Sequence, residues 1–469
     1  MGQRPGRTTA YLCFALSSLL LFTAIWIVVP PPSYPLLILA VGAPEAGVWL
    51  AVGAALITMI VYRDAATSRV ARVTLCFSVA TIVLAILPLL RFPSTVRRFD
   101  AAMRAGLGEN YLCAVPDPTL RTMRPAPLNP VELFTGLRPG AARVERGVRF
   151  AVNDGVPLSM DVYHPGQRGS YPAVVQIYGG AWQRGEPGDN AAFATYLASH
   201  GYVVFAIDYR HAPRWQWPAQ LADLRAALAW IVEHGQEYDA DSGRLALIGR
   251  SSGAQLALVG AYAPGGPRVG AVVSYYGPVD LAEGYRHPPR PDPLRVRGIE
   301  EAFLGGTPAN AAARYRDASP IAYTLRPLPP TLLVYAAHDH VVEARFGTLL
   351  HERLRATGTT SVLLEIPWSE HGFDAMTGGP GAQLALFNTE RFLAWALRSS
   401  EPARCTISPG EGPMGGPAPA TAPGPRVSPP RMPARSPRGT LRSVPTPHNA
   451  AGRPWPVERR VPPRRLPPR

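Results

Sequence analysis

The chain has 469 residues, 17% of them charged, and a formal net charge of +14 carried without a single lysine. That excess sits at the ends: residues 1–110 hold 9 Arg against 4 acidic residues, residues 401–469 hold 12 against 3, and the span from Tyr111 to Ser400 balances at 26 of each. A nucleic-acid-binding face needs basic charge clustered on a folded domain, so the neutral middle excludes that class, and four cysteines exclude a disulfide-framed scaffold.

Residues 1–110 read as a membrane region. Tyr11–Val29 is 19 residues without a charge, Ala46–Tyr62 is 17, and Val73–Leu90 is a third such run. Each is long enough to cross a bilayer, and three in succession argue against buried helices of a soluble domain. The first run also has the look of a signal peptide, but no small-x-small cleavage pattern follows it. An apolar stretch begins already at Leu36, and Pro44-Glu45 interrupts it as an interfacial entry to the second span. By the positive-inside rule Arg4, Arg7, Arg63, Arg69 and Arg72 belong in the cytoplasm, which carries the rest of a three-span chain to the extracytoplasmic side of a multi-pass membrane protein. Arg91, Arg97, Arg98 and Arg104 count the other way, and a re-entrant second run would leave two crossings and a cytoplasmic domain. Cys13 and Cys76 lie within the apolar runs, while Cys113 and Cys405 flank the middle region, either as a disulfide or as two free thiols.

The middle region, 111–400, opens with Gly147–Val152, the turn Asn153-Asp154-Gly155 and Val156–Tyr163, an Asp-Gly hairpin signal between alternating runs. Strand-like runs follow at 173–178, 202–208, 244–249, 270–276, 331–336 and 361–367. Helical patterns stand between them: 191–199, a stripe of Leu221, Leu224, Leu228, Ile231 and Val232, and stretches after Ser251, at 343–356 and at 383–397. The alternation predicts an α/β fold with a mainly parallel, doubly covered sheet and the hairpin as its antiparallel edge. Residues 280–321 break the alternation and form a small cap. From Glu401 onward Pro, Gly and Arg leave too little apolar surface to offset ordering, so 401–469 is expected to be a disordered tail. No internal repeat is present.

The chemistry gathers around Gly249-Arg250-Ser251-Ser252-Gly253, where an apolar run stops and a small-residue helix begins. Such a turn exposes a serine oxygen beside the following backbone N–H, provided glycines flank it. A serine hydroxyl needs a base, and an imidazole needs a carboxylate to set its tautomer. His371 follows the last strand-like run and Asp339 ends the one before, giving the order Ser, Asp, His. Gly179-Gly180-Ala181, after an early strand, is placed to supply oxyanion donors together with Ser252. His338 and His340 alternate along an extended segment without further ligands, so no metal or cofactor is expected.

These residues resemble the α/β-hydrolase carboxylesterases of the hormone-sensitive-lipase-like and feruloyl-esterase-like groups, over about Val144–Leu397. Ile177-Tyr-Gly-Gly-Ala-Trp182 is similar to the His-Gly-Gly-Gly-Trp of those groups, and Val204–Pro213 to their Val-x-Tyr-Arg-x-Ala-Pro segment; Ala318-Ser-Pro-Ile321 and Asp339-His-Val-Val342 fit as well. The resemblance implies Ser251 as nucleophile, His371 as base, Asp339 as its orienter, and the N–H groups of Gly180, Ala181 and Ser252 as the oxyanion hole. Tyr178 and Ala181 depart from the pattern and are expected to alter the acyl pocket, while Asp208 and Arg210 are structural in such proteins. The expected function is a membrane-anchored serine hydrolase acting on a small-molecule or lipid ester. An amidase or peptidase on the same triad, and a non-catalytic membrane receptor with a hydrolase fold, are the alternatives.

Overall fold

Asp154 and Gly155 take φ of 47° and 76°, the two positive values that a two-residue hairpin loop requires. They join β1 (Ala142–Asn153) to β2 (Val156–Pro165), which pair antiparallel. The structure, a computed structural model, describes residues 7–398; the expected disordered tail and Cys405 lie outside the described residues. Six further strands complete the sheet: β3 (Tyr171–Ile177), β4 (Val203–Ile207), β5 (Ala240–Arg250), β6 (Ala271–Tyr275), β7 (Thr331–Ala336) and β8 (Ser361–Ile366). Their order is β1-β2-β4-β3-β5-β6-β7-β8, with β2 antiparallel to β4 and all later pairs parallel. The architecture is therefore an α/β-hydrolase sheet with its leading hairpin at one edge.

Strands β4, β6 and β7 are buried along their whole length, as parallel strands covered on both faces must be. The cover on the domain side comes from α7 (Ala191–Ser199), α8 (Ala219–His234), α9 (Ser252–Tyr262), α13 (Arg345–Ala356) and α14 (Pro380–Arg398), with the short α5 (Asp117–Thr122) and α6 (Glu132–Thr135) ahead of the sheet. Between β6 and β7 the break in alternation is a cap of three short helices, α10 (Leu281–Arg286), α11 (Val296–Leu304) and α12 (Ala312–Ala318).

Among the described residues, four α-helices precede the domain: α1 (Arg7–Ala24), α2 (Tyr34–Glu45), α3 (Gly47–Val61) and α4 (Arg69–Leu107). Among the described residues, three helical segments, 7–27, 47–64 and 69–107, are long and apolar enough to cross a membrane by length and composition. Small residues let them approach: a Cβ on Gly47 would come within 2.4 Å of the Ala85 carbonyl oxygen, close enough that only glycine fits. Two features differ from the expected pattern. The apolar stretch from Leu36 is two helices, because the chain leaves helical geometry at Ala46, just after Pro44. The third run does not stop at Leu90. Its helix is 39 residues long, about 58 Å at 1.5 Å per residue and so roughly twice the hydrocarbon thickness. The extension buries Phe92, Phe99 and Met103 in the main core around the sheet, which gives it a reason to remain helical beyond any bilayer.

Candidate active site

β5 ends in the Gly249–Gly253 turn, where Ser251 has φ 52° and ψ −121°, a strained conformation for a residue with a side chain. The glycines are sterically required: a Cβ on Gly249 would meet the Gly253 oxygen at 2.1 Å, and one on Gly253 would meet the Tyr178 oxygen at 2.2 Å. Ser251 N–H donates to the Tyr275 carbonyl at 2.9 Å, fixing the turn against β6. Its side chain is thereby lifted above the C-terminal edge of the sheet.

At the same edge Asp339 follows β7. Its Oδ1 accepts the N–H groups of Val341 at 2.8 Å and Val342 at 2.7 Å, a local turn that leaves Oδ2 free. Oδ2 lies 2.8 Å from Nδ1 of His371, which follows β8, and His371 Nε2 lies 3.0 Å from Ser251 Oγ. The Asp339 side chain is fully buried and that of His371 nearly so. Burial opposes the imidazolium, but Asp339, with Glu370 and Asp374 nearby, outweighs it and raises His371 above the usual histidine value. The arrangement can take a proton from Ser251 Oγ and hold the resulting cation against a carboxylate.

Gly179 runs beside this turn, its missing Cβ leaving 3.2 Å to Cβ of Ser251. Gly180 and Ala181 adopt φ of 133° and 58°, and among the described residues their N–H groups donate to no backbone acceptor. Ser252 opens α9, so its N–H has no intrahelical partner either. Three backbone donors thus remain unspent beside Ser251.

Several contributors were not legible in the motifs. Glu370 bolts the two loops together: Oε1 accepts the N–H groups of His340 at 2.7 Å and His371 at 2.9 Å, while Oε2 takes Nδ1 of His340 at 2.6 Å. His340 is spent on that pair. Arg250 and Tyr276 both reach Asp374, and the Tyr276 ring packs 4.6 Å from that of His371. Tyr178, expected to alter the acyl pocket, does not line the cleft; its OH donates to Asp208 at 2.5 Å and its ring stacks on Tyr209. Ala181 does line it. Arg210 is held by Asp223 and reaches Asp154 of the hairpin turn, a role in tying the sheet edge together.

The cleft over Ser251 has a volume of about 280 Å³. Trp182, Leu294, Val296, Ile299, Val342 and Phe346 give it apolar walls, several of them from the cap. Trp182 is stacked face to face on Phe303 of α11 at 4.1 Å, and its Nε1–H donates to Gln255 at 2.9 Å. The cap therefore closes directly on the segment that carries the free N–H groups of Gly180 and Ala181.

Residues 160–354 match the BD-FAE family. The chain is 32% identical to the esterase LipC of Mycobacterium tuberculosis over 274 residues, 53% of this chain and 66% of that protein. It is 30% identical to the probable carboxylic ester hydrolase LipM of the same organism over 239 residues, 48% of this chain and 54% of that one. It thus spans less than two thirds of either relative's length. Among solved structures, a bacterial heroin esterase aligns at 23% identity over 55% of this chain and 85% of its own, with a TM-score of 0.49.

Proposed function

We propose that this protein, whose residues 160–354 match the BD-FAE family, is a membrane-anchored serine hydrolase that cleaves carboxylic esters. One observation carries the reading: the chain of contacts from Asp339 Oδ2 through the His371 ring to Ser251 Oγ, at 2.8 and 3.0 Å. The esterase names of the relatives support the bond cleaved.

In this mechanism Ser251 Oγ attacks the ester carbonyl carbon as its proton passes to Nε2 of His371, and Asp339 stabilises the imidazolium that forms. The carbonyl oxygen, now an anion, accepts from the N–H groups of Gly180, Ala181 and Ser252, each such donor being worth about 10²–10³ in rate. The tetrahedral species collapses, the C–O bond to the alcohol breaks, and His371 returns its proton to the leaving oxygen. Water then attacks the acyl-serine with His371 again as base, releasing the acid and restoring Ser251. The apolar walls of the cleft suit a hydrophobic acyl or alcohol group. Gly179 keeps the donor loop close to Ser251.

The three apolar helices support a multi-pass anchor, with residues 1–110 as the membrane region, 111–400 as the hydrolase domain, and the domain on the extracytoplasmic side. A fluorophosphonate probe tests the chemistry: the full-length protein in detergent should be labelled at Ser251 and should hydrolyse p-nitrophenyl butyrate, and Ser251→Ala should lose both. Full ester turnover in Ser251→Ala would defeat the mechanism. Faster turnover of the matching anilide would convert the reading to an amidase.

A further inference from the structure

We propose that Glu45, contributed by the membrane region, is a positioning residue for His371, so that the base is held in register by the helices that precede the hydrolase domain. The inference rests on the serine-hydrolase reading. Glu45 ends α2 and is only 2% exposed. A buried carboxylate must find donors, and Glu45 finds them at the two ends of one loop: Oε1 accepts Ser369 Oγ–H at 2.7 Å, and Oε2 accepts Gly381 N–H, in the first turn of α14, at 2.8 Å. Those partners lie 324 and 336 residues away in sequence and bracket the loop that presents His371.

The loop is shaped to receive this carboxylate. A Cβ on Gly379 would come within 2.2 Å of Glu45 Oε2, and one on Gly381 within 2.5 Å of Oε1. Only glycine lets the backbone close on it there. The adjoining chain is gripped by α4 as well. Arg91 donates to the Pro367 carbonyl at 3.2 Å, Arg98 donates to the Glu365 carbonyl at 2.7 Å, and Phe92 packs on Trp368 with ring centroids 6.0 Å apart. Within the hydrolase domain the same loop is tied by His338 N–H to the Ser369 carbonyl and by Glu370 to His340. Glu45 adds to these ties a contact from α2, outside the domain. A reacting group displaced by about 1 Å loses on the order of 10²-fold in rate, so loss of this clamp should appear in turnover.

The test uses the full-length protein in detergent micelles, with p-nitrophenyl butyrate as substrate, fluorophosphonate labelling rate as a second readout, and Ser251→Ala as blank. Glu45→Ala should lower kcat by about tenfold or more with KM within about twofold. Glu45→Gln keeps an acceptor oxygen and should recover kcat to within about threefold, and Ser369→Ala should fall between the two. Wild-type kcat in Glu45→Ala would overturn the proposal. So would equal losses in Glu45→Ala and Glu45→Gln with KM rising in proportion, the mark of a site that has merely loosened. If Glu45→Ala does not fold, wild-type kcat in Ser369→Ala overturns it. A wild-type protein that is neither labelled nor active removes the hydrolase reading first and this proposal with it, a result distinct from activity that survives in the variants.

Discussion

Arg250, the residue between Gly249 and Ser251 in the Gly249–Gly253 turn, donates Nε–H to Asp374 Oδ2 at 2.5 Å, and the two side chains are 4% and 9% exposed. The pair spans the site, joining the turn that carries Ser251 to the segment just after His371. Tyr276 donates to the other oxygen of Asp374, and the Arg250 guanidinium lies 4.4 Å over the ring of Phe193. Removing one partner of a buried ion pair leaves an uncompensated charge, which typically costs about 3–5 kcal/mol. Asp374→Ala should destabilise the protein by that amount in denaturant unfolding. Arg250→Met combined with Asp374→Leu should lose far less, because neither charge is then stranded.

Glu300, on the cap helix α11, poses the reverse case. Burial, reinforced by Asp280 and Asp292, holds its carboxyl well above the usual carboxylate range, and Oε2 has no hydrogen-bond partner among the described residues. The folded protein therefore keeps a proton that the unfolded chain gives up above about pH 4.3. Stability contributed by this group falls as pH rises from there toward its folded value, by up to about 1.4 kcal/mol per pH unit. Glu300→Gln should flatten that fall while leaving stability at pH 5 within about 1 kcal/mol of wild type. Denaturant midpoints at pH 5 and pH 7 that shift equally in both proteins would refute the neutral carboxyl.

His371 must be neutral to act as a base, and its value is raised above 6.5 by Asp339, Glu370 and Asp374 against the opposing effect of burial. Accordingly kcat/KM should fall on the acid side with a midpoint above 6.5. Asp339→Asn should move that midpoint to lower pH and cut kcat by about 10⁴-fold, since the amide no longer stabilises the imidazolium or fixes its tautomer. Stability runs the other way: the raised value contributes stabilisation that is complete below the unfolded value of 6.5 and is lost as pH rises through the folded one. A pH–rate profile of the ester reaction checks the first claim and thermal unfolding between pH 6 and pH 9 the second.

What was legible in the chain was local. The helix at 191–199 and the strand at 331–336 match their expected bounds, because each is a short apolar pattern closed by its own neighbours. The hairpin at Asp154-Gly155 and the turn at Ser251 were legible for the same reason, as positive φ at fixed positions demands glycine or a tolerant residue. Ionic partners distant in sequence were not. Nothing near Glu45 announces Ser369, and nothing near Arg250 announces Asp374, since a lone charge at the edge of an apolar run looks the same whether water or a buried donor satisfies it. The extension of α4 past Leu90 left a faint signal in the spacing of Phe92, Val96, Phe99 and Met103. Arg91, Pro93, Arg97 and Arg98 obscured it by marking the end of a span, whereas two of those arginines serve carbonyl groups at the end of β8 and just after it.

Those arginines bear on the side of the membrane the domain occupies. Counted by sequence alone, four charges after Leu90 nearly offset the five at Arg4, Arg7, Arg63, Arg69 and Arg72. Folded, Arg91 and Arg98 donate to the carbonyls of Pro367 and Glu365, and Arg104 pairs with Asp100, so they have a reason to exist apart from topology. The helices also order themselves end to end. Trp26–Pro30, just after α1, lines a cavity with His338 and Glu370, Trp49 at the start of α3 packs 5.1 Å from Phe134, and α4 meets the domain from Arg91 onward. Their opposite ends carry Arg7, Arg63, Arg69 and Arg72. On the proposed reading, three crossings with those arginines in the cytoplasm would put the domain outside, and a large domain is translocated largely regardless of its flanking charge. Protease added to intact cells should accordingly remove the chain from about Asn110 onward and abolish surface labelling by a membrane-impermeant fluorophosphonate. Complete protection until the cells are lysed would place the domain in the cytoplasm and reduce the crossings to two.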